Sequence, residues 1–225
     1  MTERAGFLVA FDLDGTLVDS AQDLADSGNA LLHSYGAPSL ATTEVVAMVG
    51  DGARELVRRL LEARKVQVPL NHALARFLML YDARLTATTR PYEGVPEMLE
   101  DASTRARLAV LTNKPGHSTL RLLDAFDLRK YFAEIVPGDA DVPRKPDPAG
   151  LTGLVARAGV DATRALMVGD SPADVRTAAN AGVPMCLVRY GFGFAKVSGA
   201  ERAQAAHEVD RPSAVAAVIA RLTAS

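Results

Sequence analysis

Two carboxylates follow the first apolar run of the chain. Residues 6–11 form that run, and Asp12 and Asp14 come directly after it, followed by Gly15. Residues i and i+2 of a strand share a face, so we expect the two side chains to converge. At about 4 Å and an effective dielectric of about 20, their repulsion is about 4 kcal/mol, which favours a shared proton or a bound cation. The alternative is an ordinary turn, in which Asp and Gly are common.

Three later segments supply side chains that could act together with Asp12 and Asp14. Thr112 and Asn113 follow another apolar run, where a hydroxyl and an amide suit phosphate oxygens, although the pair also suits a turn. Lys145 lies between prolines that stiffen the backbone, so it is either a fixed charge for a phosphate or part of a solvated basic loop. Asp170 is predicted to end a strand and Asp174 to lie in the first turn of a helix. Four carboxylates at two strand ends would suit a hard cation such as Mg²⁺.

Composition narrows the class of protein. The 225 residues carry a formal net charge of −2, so we expect no nucleic-acid partner. The single cysteine, Cys186, lies in an apolar stretch and is predicted to pack as a small hydrophobic residue. We find no signal-peptide pattern and no apolar run near the roughly 20 residues that span a bilayer. A cytoplasmic protein without a membrane partner is therefore predicted.

Short apolar runs alternate with helical patterns along most of the chain. Strands are predicted at 6–11, 108–112, 133–136, 165–169 and 184–188, and helices between them at 95–103, 118–126, 148–158 and 173–181. This order predicts an α/β fold of the Rossmann type, with a central parallel sheet flanked by helices. Residues 21–90 show helical patterns instead, at 21–35, 52–65 and 71–85. The tail over 200–225 predicts only a final helix.

The four motifs together resemble the haloacid dehalogenase superfamily of phosphohydrolases. In chain order they are Asp-x-Asp-Gly-Thr-Leu-Val-Asp-Ser, Thr-Asn, Arg-Lys-Pro-Asp-Pro and Gly-Asp-Ser-x-x-Asp. The resemblance implies a phosphatase core over 1–18 and 91–225, with a small helical cap over 19–90 inserted after the first strand. Segments 49–52, 112–115 and 190–193 are, more narrowly, similar to phosphoglycolate phosphatases.

The resemblance implies roles for the acidic residues. Asp12 would attack phosphorus and form an aspartyl-phosphate, and Asp14 would act as general acid and then as general base. The carboxylates of Asp12 and Asp170 and the backbone carbonyl of Asp14 would bind Mg²⁺. Asp174 would act from outside the inner coordination shell, through bound water or orientation.

The same resemblance implies how phosphate is held and which substrate is used. Thr112, the N–H of Asn113 and the ammonium of Lys145 would hold the phosphoryl oxygens. The implied reaction is Mg²⁺-dependent hydrolysis of a small phosphorylated metabolite, 2-phosphoglycolate, to glycolate and phosphate. The oligomeric state, monomer or homodimer, stays open.

Selectivity is predicted in the cap, at residues 49–54. Glycines on both sides of Asp51 leave backbone N–H groups and the positive end of the following helix free to face a substrate carboxylate. Gly50 and Arg54 are the predicted substrate contacts, with Arg54 giving a bidentate hydrogen bond. A loop in which Asp51 caps the helix and Arg54 faces solvent is the alternative.

Other activities share much of this pattern. Sugar phosphatases and pyrophosphatases of the superfamily are close alternatives, whereas a phosphomutase would need a second phosphate site in the cap. A dehalogenase would not need Asp14, and a phosphonate hydrolase would need a reactive cap lysine where only Lys65 occurs. A non-catalytic phosphate-binding protein is the alternative from another class.

Overall fold

The computed structural model describes residues 6–224 and contains a six-stranded parallel sheet. Strands are numbered in chain order: β1 Leu8–Phe11, β2 Val18–Asp19, β3 Arg90–Pro91, β4 Arg107–Leu111, β5 Glu134–Val136, β6 Ala165–Gly169, β7 Met185–Val188 and β8 His207–Val209. The order across the sheet is β5-β4-β1-β6-β7-β8, and β2 pairs with β3 in a separate antiparallel ribbon. The predicted fold class, a parallel sheet flanked by helices, is confirmed.

Helices cover the sheet and fill the insertion. They are α1 Ala21–His33, α2 Thr42–Ala47, α3 Ala53–Ala63, α4 Leu70–Asp82, α5 Val95–Arg105, α6 Gly116–Ala125, α7 Ala149–Ala158, α8 Pro172–Ala181, α9 Gly199–Arg202 and α10 Pro212–Thr223. Short 3₁₀ helices lie at Arg129–Tyr131, Ala162–Arg164 and Phe194–Lys196. Among residues 6–224, no helix is long and apolar enough to cross a membrane.

The central strand β1 is buried on both faces and sets the position of the site. Val9 and Phe11 pack into one hydrophobic cluster, whereas Leu8 and Ala10 pack into another. This alternation is the two-residue period of a strand covered on both faces, which explains the continuous apolar sequence. Because β1 pairs in parallel with both β4 and β6, the carboxyl ends of all three strands lie at one edge of the sheet.

Four helices, α1 to α4, lie between β2 and β3. The two short strands pair in antiparallel, with Val18 opposite Pro91, so the chain leaves and re-enters the core at neighbouring points. The buried carboxylate of Asp23 accepts hydrogen bonds from the backbone N–H and hydroxyl groups of Thr88 and Thr89, which fixes the return of the chain. The domain limits 1–18, 19–90 and 91–225 stay a prediction.

The sequence patterns miss several short elements. The tail over 200–225 holds strand β8 as well as the expected helix, because β8 has only three residues, His-Glu-Val, and no apolar run. Helix α2 is six residues long and begins with two threonines, so its periodicity is too short to detect. Cys186 is fully buried in β7, which confirms its predicted packing role.

Candidate active site

Three carboxylates cluster at the carboxyl edge of the sheet. Asp12 follows β1, Asp170 follows β6, and Asp174 lies in the first turn of α8. One carboxylate oxygen from each lies within 4.8 Å of the other two, and all three side chains are buried. The sequence therefore placed three of its four predicted acidic residues correctly in one cluster.

Lys145 is the cation in contact with this cluster. Its Nζ lies 2.9 Å from Asp12 Oδ1 and 2.6 Å from Asp174 Oδ1, and the side chain is almost fully buried. The alternative of a solvated loop is therefore wrong for Lys145, although the neighbouring Arg144 is exposed. Contact between Lys145 and a phosphoryl group stays a prediction.

Burial and mutual repulsion shift the pKa values of the carboxylates in this cluster. Burial raises the pKa of Asp12 from 3.8 to about 6, although the charge of Lys145 opposes this rise. Burial, together with the charges of Asp174 and Asp12, raises the pKa of Asp170 well above its ordinary value. The same two carboxylates that contact Lys145 raise the pKa of its ammonium against the effect of burial. Among residues 6–224, these three buried carboxylates as a group thus contact a single ammonium, and this excess negative charge fits a hard divalent cation.

Asp174 is held in place by its own helix. The N–H and the hydroxyl of Ser171 donate to Asp174 Oδ2 at 3.0 and 2.7 Å, which forms a capping box at the start of α8. Oδ1 receives the hydrogen bond from Lys145. Because both of its oxygens already accept hydrogen bonds, Asp174 is better suited to orienting Lys145 than to direct metal ligation.

Asp14 belongs to a second, separate group. Lys114 Nζ lies 3.0 Å from each of its carboxylate oxygens, and Ser20 Oγ donates to Oδ1 at 2.5 Å. Lys114 also donates to the hydroxyl of Tyr81 on α4, at 2.5 Å. Asp12 and Asp14 line the same cavity, as expected, but each carboxylate contacts its own lysine, and Asp14 lies outside the three-carboxylate cluster.

Sequence reasoning missed Lys114 and Tyr81 as site residues. Lys114 was visible directly after Thr112 and Asn113 at the end of a predicted strand, which was a usable signal. Tyr81 carried none, because it continues the apolar face of α4 and is buried. The Lys114 ammonium lies 4.5 Å from the Tyr81 ring centroid, so the contact is also a cation–π interaction.

Asn113 links the insertion to the sheet edge. Its Nδ2 donates to the carbonyl of Gly50 at 2.9 Å and to that of Lys145 at 3.0 Å. The buried Oδ1 of Asn113 has no hydrogen-bond partner among the described residues. Thr112 is buried beside it and accepts a hydrogen bond from the N–H of Lys114 through its hydroxyl oxygen. Both predicted phosphate contacts therefore lie at the correct strand end.

Glycines allow the backbone to pack against Asp170. A Cβ on Gly15, which has a φ of +85°, would lie 2.1 Å from Asp170 Oδ2, and one on Gly191 would lie 2.3 Å from the Asp170 Cβ. The N–H of Gly193 donates to Asp170 Oδ2 at 2.7 Å. Turn 190–193, after β7, thus encloses Asp170 and fixes its orientation.

A cavity lies between the sheet edge and the helical insertion. Asp12, Asp14, Asp170 and Lys196 line its core side. The side formed by the insertion is mainly apolar and is lined by Leu24, Val49, Gly50, Gly52, Ala53, Leu56, Phe77, Leu78 and Tyr81. Substrate bound here would lie between fixed charges and an apolar wall.

The two predicted cap contacts differ in position. Gly50 lines the cavity. Arg54 is exposed, donates to Asn71 Oδ1 at 2.8 Å and lines a separate surface depression. It lies on the first turn of α3, and that turn presents Ala53 to the cavity instead. The arrangement therefore corresponds to the alternative for Arg54, which faces solvent, but not for Asp51, because Gly52 is the N-cap residue of α3 and Asp51 pairs with Arg59.

The match to a family model decides the assignment to a family. The model described as haloacid dehalogenase-like hydrolase matches residues 9–188, which include all four motif segments. The chain belongs to this family. Phosphoglycolate phosphatase of Caulobacter vibrioides is 41% identical over 191 residues, which are 83% of this chain and 81% of that protein. The enzyme of the same name from Agrobacterium fabrum is 38% identical over 189 residues, covering 82% and 81%.

Solved structures of similar proteins share the whole architecture. A structure described as a predicted phosphoglycolate phosphatase from Haemophilus somnus superimposes with a TM-score of 0.85 at 28% identity. The match covers 95% of this haloacid dehalogenase-like hydrolase and 98% of that chain. The similarity therefore extends over the insertion as well as over the sheet.

Proposed function

We propose that this hydrolase cleaves the phosphate monoester 2-phosphoglycolate to glycolate and phosphate through an aspartyl-phosphate on Asp12. The observation that carries the proposal is the separate pairing of two carboxylates at the end of β1. Asp12 pairs with Lys145 beside the acidic cluster, and Asp14 pairs with Lys114. The two carboxylates thus have different partners in one cavity, with Asp12 inside the acidic cluster and Asp14 outside it, which suits one to attack phosphorus and the other to exchange protons with the leaving group and water.

The reaction proceeds in two steps on these side chains. In the first, an Asp12 oxygen attacks phosphorus, and protonated Asp14 gives its proton to the leaving alkoxide oxygen. In the second, Asp14, now a carboxylate paired with Lys114, takes a proton from the water that attacks phosphorus. The bond between phosphorus and Asp12 then breaks and the free carboxylate is restored. Lys145 neutralises charge on the transferring group in both steps.

The acidic cluster supports Mg²⁺ as the cofactor. The carboxylates of Asp12 and Asp170 and the backbone carbonyl of Asp14 would hold the ion, and Asp174 would orient Lys145. When bound, Mg²⁺ neutralises carboxylate and phosphoryl charge, which a phosphoryl transfer requires. The fit rests on oxygen donors and on the excess negative charge of the cluster.

The choice of 2-phosphoglycolate is supported by the relatives at 41% and 38% identity, both of which are named phosphoglycolate phosphatase. It is tested by phosphate release with Mg²⁺ from 2-phosphoglycolate, a hexose phosphate and pyrophosphate. We expect the highest kcat/KM with 2-phosphoglycolate, and a higher value with either of the other two compounds would overturn the assignment.

The covalent step is tested separately. Acid quenching during turnover of a radiolabelled ester should leave phosphate on the chain, and hydroxylamine should release it because an acyl phosphate is reactive. The Asp12→Asn variant should retain no label. Labelling that persists in this variant would contradict Asp12 as nucleophile.

A further inference from the structure

The cavity contains a cation that the proposed reaction does not use. Lys196 ends the 3₁₀ helix Phe194–Lys196, is half-buried and lines the same cavity as Asp12 and Asp14. Its Nζ donates to the backbone carbonyl of Val49. No carboxylate of residues 6–224 forms an ion pair with it, whereas Lys114 and Lys145 pair with Asp14 and Asp12 respectively.

Lys196 is partly desolvated without a contacting counter-ion. Burial lowers the pKa of its ammonium, although the more distant charge of Asp170 opposes this effect. A charge in this position gains more from an incoming anion than an exposed, solvated lysine does. The side chain is therefore available to an anion without the loss of either catalytic ion pair.

The cavity wall opposite Lys196, which described residues of the helical insertion form, has no charged side chain that could bind a substrate carboxylate. Among the described residues of the insertion, those lining the cavity are apolar or glycine, apart from the hydroxyl of Tyr81. A carboxylate placed against this wall would meet the backbone N–H groups at the start of α3, but no charged side chain of the described insertion residues to replace its hydration. Arg54 does not supply that charge, because it lies outside the cavity and contacts Asn71.

Lys196 is also fixed relative to the catalytic cluster. Its backbone N–H donates to the carbonyl of Gly193 at 3.0 Å, and the N–H of Gly193 donates to Asp170 at 2.7 Å. One turn thus orients an acidic residue of the cluster and carries the unused ammonium. A substrate with its phosphate at Asp12 would have a nearby cation for a second anionic group.

We propose that Lys196 is the specificity-determining residue that binds the substrate carboxylate. The inference rests on the proposed function and names the side chain that would separate 2-phosphoglycolate from a neutral ester of similar size. The Lys196 ammonium would exchange its contact with the Val49 carbonyl for a charge-assisted hydrogen bond to the carboxylate. Selectivity is thereby assigned to the turn after β7 rather than to Arg54 on α3.

The test compares 2-phosphoglycolate with ethyl phosphate, which has two carbons and no carboxylate. Lys196→Met removes the charge at similar length, and Lys196→Arg keeps it. Lys130→Met is the control, because Lys130 pairs with Asp127 at the surface. We expect Lys196→Met to lower kcat/KM for 2-phosphoglycolate roughly 10- to 100-fold, mainly through KM. Ethyl phosphate should change less than about twofold, and Lys196→Arg should restore part of the loss.

Each other outcome has a distinct meaning. If the parent enzyme shows no preference for 2-phosphoglycolate, the proposed substrate fails, and the inference fails with it. If the preference exists and survives Lys196→Met, only the inference fails. An equal loss for both esters would show that Lys196 acts by holding the Val49 loop, and would also overturn it. If Arg54→Met loses the preference for 2-phosphoglycolate and Lys196→Met keeps it, Arg54 in the helical insertion binds the substrate carboxylate and the inference is overturned.

Discussion

Replacing Asp12 by Asn should make the stability of the metal-free protein less dependent on pH. In the native state, burial holds the pKa of Asp12 at about 6, compared with 3.8 in an unfolded chain. This rise corresponds to about 3 kcal/mol of unfavourable free energy for the ionised native state. Asparagine has nearly the same volume and carries no charge, so the variant is free of this cost.

The direction in which stability changes with pH follows from proton binding by Asp12. Because the folded protein holds the Asp12 proton more tightly than the unfolded chain does, the stabilisation is present below pH 3.8 and is lost as the pH rises through about 6. Roughly half of this stabilisation is lost between pH 5 and pH 8. Asp23 affects the pH dependence of stability with the opposite sign. Burial raises its pKa, but hydrogen bonds from Thr89 and Thr88 lower it by more, so that the net change is a decrease. This contribution is the same in the parent and in the variant.

Urea unfolding with a chelator present, at pH 5 and at pH 8, measures the effect. We expect the free energy of unfolding of Asp12→Asn, relative to the parent, to increase by about 1 to 2 kcal/mol from pH 5 to pH 8. Asp141→Asn, which removes an exposed carboxylate, is the matched control and should show no such increase. If the free energies of unfolding of Asp12→Asn and of the parent differ by the same amount at pH 5 and at pH 8, that result refutes the reasoning.

Addition of Mg²⁺ at pH 8 extends the same measurement. A bound cation stabilises the native state by mass action, so the parent should gain stability as the Mg²⁺ concentration rises. Asp12→Asn loses one ligand and should gain much less. An equal gain in the two proteins would place the metal away from Asp12.

Three further substitutions test the neighbouring contacts. Lys145→Met should lower kcat/KM about a thousandfold, because it removes the ammonium that neutralises the transferring group, and an unchanged value would contradict that role. Tyr81→Phe removes the hydroxyl that contacts Lys114, so kcat should fall about tenfold with KM unchanged; a change in KM alone would indicate a binding role instead. Gly191→Ala places a Cβ 2.3 Å from the Asp170 Cβ and should weaken Mg²⁺ binding about 10- to 100-fold by calorimetry, whereas unaltered affinity would show that the turn has room to move.

Much of the fold was predictable because its central strands are buried on both faces. Such strands appear as continuous apolar runs, and every predicted run corresponds to a strand of the sheet. Strand β8 lies at the sheet edge and is only half-buried, so selection for an apolar sequence is weak there. The short helix α2 has too few turns for its periodicity to be detected.

The sequence by itself determined which residues stand at the carboxyl edge of the sheet. Asp12, Thr112 and Asp170 follow directly after apolar runs, and parallel pairing of β1, β4 and β6 then brings those ends together. This result needs only local strand formation and a common strand direction. The four motifs were therefore enough to indicate phosphoryl chemistry.

Only the tertiary structure decided which charges pair and which remain available. Lys114 and Asp14 are a hundred positions apart in the chain; their ion pair joins the ends of the neighbouring strands β4 and β1, and Tyr81 of α4 contacts the same ammonium. Likewise, the orientation of α3 directs Arg54 outward, and the turn after β7 brings Lys196 into the cavity. Such contacts depend on helix orientation and loop path, which are set by packing between distant segments and leave no periodic signal in the sequence.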